Sequence, residues 1–224
     1  MSDTARRAAK SLVTGKQVVS FSGLPQKVRK DFRAGLNNAT PEVAKALRKV
    51  YRDVDYTIGK KKGSLHSKGI FSKNTIVLGS NASPGTVAHE LFHELDADGT
   101  ISSRLTLAIT QDHIALNVAS NGDILAYLQS MYPAAFKIKK SGGTVLNEPY
   151  RGIADILNGM SGGKKKYGFG HEEEYWKKPG SLESEAWAQF GRVYFNNGPD
   201  VKKMFEDIFP NLSSHAMMAL KGLI

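Results

Sequence analysis

The sequence predicts an α+β fold, mainly helical, with a small twisted sheet beside one particular helix. Three observations predict it. Apolar residues recur at helical spacing through most of the chain, as in Val28, Phe32 and Leu36. Short runs rich in β-branched and aromatic residues cluster between residues 55 and 83. Directly after them comes Val87-Ala88-His89-Glu90-Leu91-Phe92-His93-Glu94-Leu95-Asp96, a helical pattern that contains His-Glu-x-x-His.

Residues 1–23 are polar and read as a flexible or short helical lead-in, and 24–224 as one domain. Val28, Phe32 and Leu36 mark an amphipathic helix. Thr40-Pro41-Glu42-Val43 then opens a second helix, with Thr40 as cap and Pro at the first position. Its buried stripe is Val43, Leu47, Val50 and Tyr51. Tyr56-Thr57-Ile58, Gly69-Ile70-Phe71 and Thr75-Ile76-Val77-Leu78 are strand candidates. Ile76 to Leu78 is the candidate edge strand, free to pair with an extended peptide. Asn81 to Thr86 is turn chemistry, with Ser83 or Thr86 as the cap of the helix that follows.

Residues 103–131 are largely helical, with His113 as a structural residue. Phe136 to Lys139 is a short strand, Tyr150 to Leu157 a short helix, and Gly159 to Gly170 a glycine- and lysine-rich loop. That loop lacks the Gly-x-x-x-x-Gly-Lys-Ser/Thr pattern of a phosphate cradle. Pro179-Gly180-Ser181 breaks the chain and starts a helix near Leu182. Val201 to Ile208 and Ser213 to Leu220 are helical, with Met217 and Met218 as core filler.

The chain has no cysteine, which excludes disulfides and thiolate chemistry and fits a reducing compartment. No apolar run is long enough to span a bilayer, and the first residues lack the apolar core of a signal peptide. The net charge is +10, with basic clusters at Lys60-Lys61-Lys62, Lys137 to Lys140, Lys164-Lys165-Lys166 and Lys177-Lys178. Such clusters attract nucleic acid or acidic proteins. No nucleic-acid motif or aromatic stacking platform accompanies them, so they read as solvated loops.

The chemistry concentrates in residues 89–93. On a helix, His89 and His93 project from one face and can close on one Zn²⁺, with Glu90 beside them to take a proton from an attacking water. A third histidine six residues after His93 would give the metzincin pattern, but Gly99 stands there. The third ligand must come from further along. Glu183 and Glu185 are the candidates, with His171 and Glu172 to Glu174 as outsiders. Helical phase puts Glu183 with the apolar Ala186, Trp187, Phe190 and Tyr194, and so leans toward Glu183. Asp155 is a candidate to orient a ligand histidine.

His89-Glu90-Leu91-Phe92-His93-Glu94-Leu95-Asp96, followed far downstream by Glu185-Ala186-Trp187-Ala188-Gln189-Phe190, resembles the gluzincin pattern. Gly168-Phe169-Gly170-His171-Glu172-Glu173-Glu174-Tyr175-Trp176 adds to the likeness. The chain is similar to the zincin-like metallopeptidase domains of phage minor head proteins and bacterial polymorphic toxins, and distantly to the catalytic domain of anthrax lethal factor. The resemblance spans most of residues 24–210.

It implies a zinc metalloendopeptidase with His89, His93 and Glu185 as ligands and Glu90 as general base. Tyr175 would support the oxyanion, or His171 in its place, since the spacing from Tyr175 to the ligand helix departs from the family's. The family often has Glu where this chain has Gln189. The implied partners are a protein or peptide substrate and a phage virion or host protein. The rival reading is a metal-stabilised interaction domain of a phage head protein, without proteolytic activity.

Overall fold

The computed structural model describes residues 2–14, 17–59, 64–66, 75–79, 82–164, 167–196 and 198–223. The architecture is α+β and mainly helical. The expected strand at Gly69 to Phe71 and the basic run Lys60 to Lys62 lie outside the described residues.

The chain begins with α1 (Asp3–Thr14) and β1 (Val18–Val19). Helices α2 (Gln26–Asn38) and α3 (Pro41–Val50) follow. Val28, Phe32 and Leu36 of α2 are buried, as their spacing requires. Val43 and Leu47 of α3 and the adjoining Tyr51 are buried too. Thr40 occupies the cap position of α3 but makes no side-chain cap bond, and its hydroxyl is buried without a partner. Pro41 supplies the helix start in its place.

Strands β2 (Asp55–Gly59), β3 (Ser64–His66) and β4 (Thr75–Gly79) complete a sheet of order β1-β2-β4-β3. β2 and β4 are parallel, with Tyr56 opposite Ile76; β1 and β3 pair antiparallel at the two sides. Ile76 to Leu78 is therefore internal, which corrects the expected edge: β3 holds that place. Tyr56, Ile76 and Leu78 are fully buried, so the apolar character that marked β4 comes from its central position.

The lead-in is tied to this sheet. Asp55, 1% exposed, accepts from Arg6 (2.5 and 3.0 Å), Arg7 (2.9 Å) and Lys10 (3.1 Å), which lie on one face of α1. Burial raises the Asp55 pKa, but the three cations outweigh it and hold the carboxyl below the usual range.

Helix α4 (Pro84–Leu95) carries the His-Glu-x-x-His segment. Ser83 caps it, its hydroxyl accepting from the Thr86 amide, and Pro84 sits at the first position. Asp96 ends it by accepting from the amides of Ile101 (2.7 Å) and Ser102 (3.1 Å). Then come α5 (Thr106–Ala119), α6 (Ile124–Met131), the hairpin β5 (Phe136–Ile138) and β6 (Thr144–Leu146), and α7 (Arg151–Met160).

The one-turn α8 (Glu173–Trp176) precedes α9 (Ser181–Asn196), and α10 (Pro199–Ile208) and α11 (Pro210–Leu223) close the described chain. Met218 is 57% exposed and is not core filler; Met217 is partly buried. Among the described residues no helix is long and apolar enough to cross a membrane.

The helix pair that matters most is α4 with α9. Phe92 packs on Trp187 (4.9 Å between ring centroids) and Phe190 (6.2 Å), and Trp187 Nε1 donates to the Phe92 carbonyl at 2.8 Å. Gly191 faces the Phe92 ring so closely that a Cβ there would lie 2.2 Å from its Cγ. A side chain at 191 would push the two helices apart.

Candidate metal centre

Helix α4 presents His89 and His93 one turn apart, with their Nε2 atoms 3.2 Å from each other and their rings perpendicular. From α9, Glu185 brings one carboxylate oxygen to 3.4 Å from His89 Nε2 and the other to 3.6 Å from His93 Nε2. The three side chains are 8%, 14% and 3% exposed, so the group is lifted out of bulk water.

A group able to hold a metal ion is thus present. Ligands about 2.0–2.2 Å from a tetrahedral ion stand about 3.3–3.6 Å apart, close to the separations found here. Glu185 Oε2 is buried with no hydrogen-bond donor, as a carboxylate oxygen meant for a cation would be. His93 Nδ1 meets the Ser184 hydroxyl at 3.1 Å. Placing the proton on Nδ1 leaves the Nε2 lone pair directed at the shared point.

Glu183, favoured by helical phase, does not reach the histidines. It is half-buried and accepts from the Thr106 hydroxyl at 3.1 Å. The phase argument fails because α9 is buried on nearly every side from Glu185 to Phe195, so its apolar face does not single out the side toward α4.

His171, Tyr175 and Asp155 lie close by, the first two at the same Glu185 oxygen that faces His93. The Tyr175 hydroxyl donates to Glu185 Oε1 at 2.6 Å, and its ring stacks on His171 at 3.9 Å. His171 Nε2 lies 3.8 Å from Glu185 Oε1. Asp155 does not reach His89 or His93; its Oδ1 accepts from the His171 amide (3.2 Å) and faces His171 Nδ1 (3.3 Å). Its Oδ2 accepts from Gln189 at 2.8 Å. The His171 carbonyl is held by Asn158 (2.8 Å) and the Trp176 indole (3.1 Å).

Gly170 makes this pinning possible. Its φ is +130°, and a Cβ would sit 2.8 Å from Asp155 Oδ1. Asp155, His171 and Glu185 form a second group of metal-ligating type. Both Asp155 oxygens are already engaged, however, so it reads as a hydrogen-bonded support and not as a second ion site.

The electrostatics follow from burial and from Glu185. Burial, then the nearby Arg192, press His89 well below the usual imidazole range. For His93 burial acts downward, but Glu185 overrides it and the pKa rises. His171 is raised by Asp155 and Glu185 against the same burial. Burial raises Glu185, but His93, His89 and His171 pull it far below the carboxylate range. Burial and Glu185 push the Tyr175 hydroxyl up, so it stays a donor at any ordinary pH.

Glu90 is buried on α4 beside His89, and its charge is felt at His93 and Tyr175. Ser184, Asn158 and Arg192 escaped the reading of the sequence. Arg192 was legible in one respect: it lies on the same stripe of α9 as Glu185 and Gln189. Comparison of the chain with protein-family models, with curated proteins and with solved structures finds no match among any of the three.

Proposed function

We propose that this chain is a zinc-dependent metalloendopeptidase of the gluzincin kind, associated with a phage or a toxin system. One observation carries the reading: His89, His93 and Glu185 converge, with the buried Glu90 next to His89 on α4 and with Tyr175 and His171 close to Glu185. Two imidazoles and one carboxylate suit Zn²⁺. A divalent ion held there would supply a Lewis acid and lower the pKa of a water.

The chain's own groups supply the rest. Glu90, in a water-poor setting, accepts a proton from the attacking water and returns it to the leaving amine. The Tyr175 hydroxyl and His171 face the region where negative charge develops on the substrate carbonyl. The Tyr175 hydroxyl donates to Glu185, and to serve the oxyanion it would rotate away from that carboxylate. Asp155 keeps His171 protonated at Nδ1 and aimed toward Glu185 with its Nε2.

The test is Glu90→Gln on the zinc-loaded protein, with metal content and cleavage of a denatured protein mixture both measured. Zinc should remain stoichiometric and cleavage should fall at least a hundredfold. Cleavage at the wild-type rate by that variant would overturn the mechanism.

One observation favours the rival reading of a metal-stabilised interaction domain. The three donors are largely buried, so an ion held there would tie α4 to α9 and stabilise the fold. Chelation separates the two: global unfolding, with no cleavage of any protein offered, would support the structural role.

A further inference from the structure

Arg192 is the charge that the mechanism above does not use. It is 7% exposed, on the α9 stripe Glu185, Gln189, Arg192. No hydrogen bond or ion pair joins its guanidinium to any described residue, and its Nε is buried without a partner. Side chains on a helix lean toward its N-terminus, so Arg192 lies back over the Gln189 turn toward the metal centre. Its charge is felt at His89, and it in turn feels Asp155, Glu90 and Glu185.

None of these carboxylates bonds to it. Asp155 is taken by His171 and Gln189, and Glu185 faces the histidines and Tyr175. The neighbouring cation is Arg151, at the start of α7 and 43% exposed, which already holds Glu148 at 3.2 Å. Burial and then Arg151 lower the Arg192 pKa to about 10, so the guanidinium remains charged at neutral pH. A buried cation beside another cation, with no hydrogen-bonded partner among the described residues, is a costly arrangement for a fold to keep without use. Gln189 Oε1, one turn away on the same stripe, is also buried without a donor. This stripe of α9 therefore holds one donor and one acceptor unmet.

We infer that Arg192, with Arg151 at its outer side, forms an anion subsite beside the metal centre that binds a carboxylate of the peptide substrate. The guanidinium fork matches a carboxylate in two parallel hydrogen bonds. Gln189 Oε1 would accept the amide N–H that accompanies such a carboxylate. That the anion arrives on a peptide rests on the peptidase reading; the subsite itself rests on Arg192 alone. The carboxylate is either the chain terminus or an acidic side chain.

Three small probes separate these on the zinc-loaded protein by NMR titration: N-acetylglycine, N-acetylglutamic acid α-amide and the neutral N-acetylglycinamide. One of the two anions should bind roughly tenfold tighter than the neutral probe, and which one does so names the source. In Arg192→Met, similar in length and uncharged, that preference should shrink to within twofold. Arg192→Lys, retaining the charge without the fork, should keep part of it and serves if the Met variant fails to fold. Wild-type protein with no preference for either anion would overturn the inference, as would a preference that survives in Arg192→Met. Anion binding that depends on Arg192, in a protein that never cleaves a peptide, would leave the subsite standing and remove the peptidase reading.

Discussion

Gly191→Ala tests whether the α4–α9 contact sets the geometry of the metal centre. An added Cβ would lie 2.2, 2.3 and 2.6 Å from three atoms of the Phe92 ring. Ordinary carbon–carbon contact is about 3.5–4.0 Å, so roughly 1.3 Å or more must be found. Phe92 has little room to give it: it is fully buried between Trp187 and Phe190, and its own carbonyl holds the Trp187 indole. Overpacking of this kind costs about 1–3 kcal/mol, and the tight surroundings put it at about 3. Alanine's better helix propensity returns about 1 kcal/mol.

The net loss is about 2 kcal/mol, or roughly 4–8 °C in Tm for a chain of this size. Because His89 and His93 ride on α4 and Glu185 on α9, the same displacement should weaken zinc binding. Gly222→Ala is the control: nothing lies within 4 Å of its added Cβ, and it sits in α11. That variant should be neutral or gain about 0.5 kcal/mol. Calorimetry and a competitive zinc titration on both variants decide the matter. A Gly191→Ala protein with unchanged Tm and zinc affinity would refute the claim that this approach is tight.

Glu185→Gln should cut zinc affinity by well over the roughly 10–100-fold typical of losing a supporting group, while Glu183→Gln should leave it within about threefold; a competitive chelator titration compares the two. Asp155→Asn should leave zinc content intact and lower kcat by roughly 10–100-fold, because His171 loses the carboxylate that fixes its tautomer; an unchanged kcat would remove His171 from the mechanism. Asp55→Asn should cost about 3–5 kcal/mol at neutral pH, since it breaks a buried pair and leaves Lys10 inside. The Asp55 pKa is depressed in the fold, so its stabilisation is full above its ordinary value of 3.8 and is lost as pH falls below that toward the depressed value. Denaturation midpoints of wild type and variant should therefore converge below about pH 4, and parallel curves down to pH 2 would count against the linkage.

Local rules served well where the answer depends on nearest neighbours. The Ser83-Pro84 start of α4 and the buried stripe of α2 follow from capping and periodicity alone. They failed where a distant partner decides. Thr40 has the right residue and position for a cap, yet its hydroxyl goes unused. Ile76 to Leu78 reads as a strand either way; that β3 covers its far side depends on pairing, which composition does not encode. Residues 1–23 look polar and loose because three of their cations, Arg6, Arg7 and Lys10, serve one carboxylate 45 to 49 residues away at Asp55.

The candidate site divides along the same line. The sequence by itself determined the pair His89 and His93 with Glu90 between them, because four residues on a helix is a geometric statement. It also supplied Glu183 and Glu185 as candidates for the third ligand, with His171 as an outsider; resemblance chose Glu185 and added Tyr175. Only the tertiary structure decided that Glu185 and not Glu183 faces the histidines, that Asp155 serves His171, and that Arg192 has no hydrogen-bond partner among the described residues. The physical reason is the rotation of α9 about its own axis. That angle is set by Trp187, Phe190 and the bare Cα of Gly191 against Phe92, contacts between residues about a hundred positions apart.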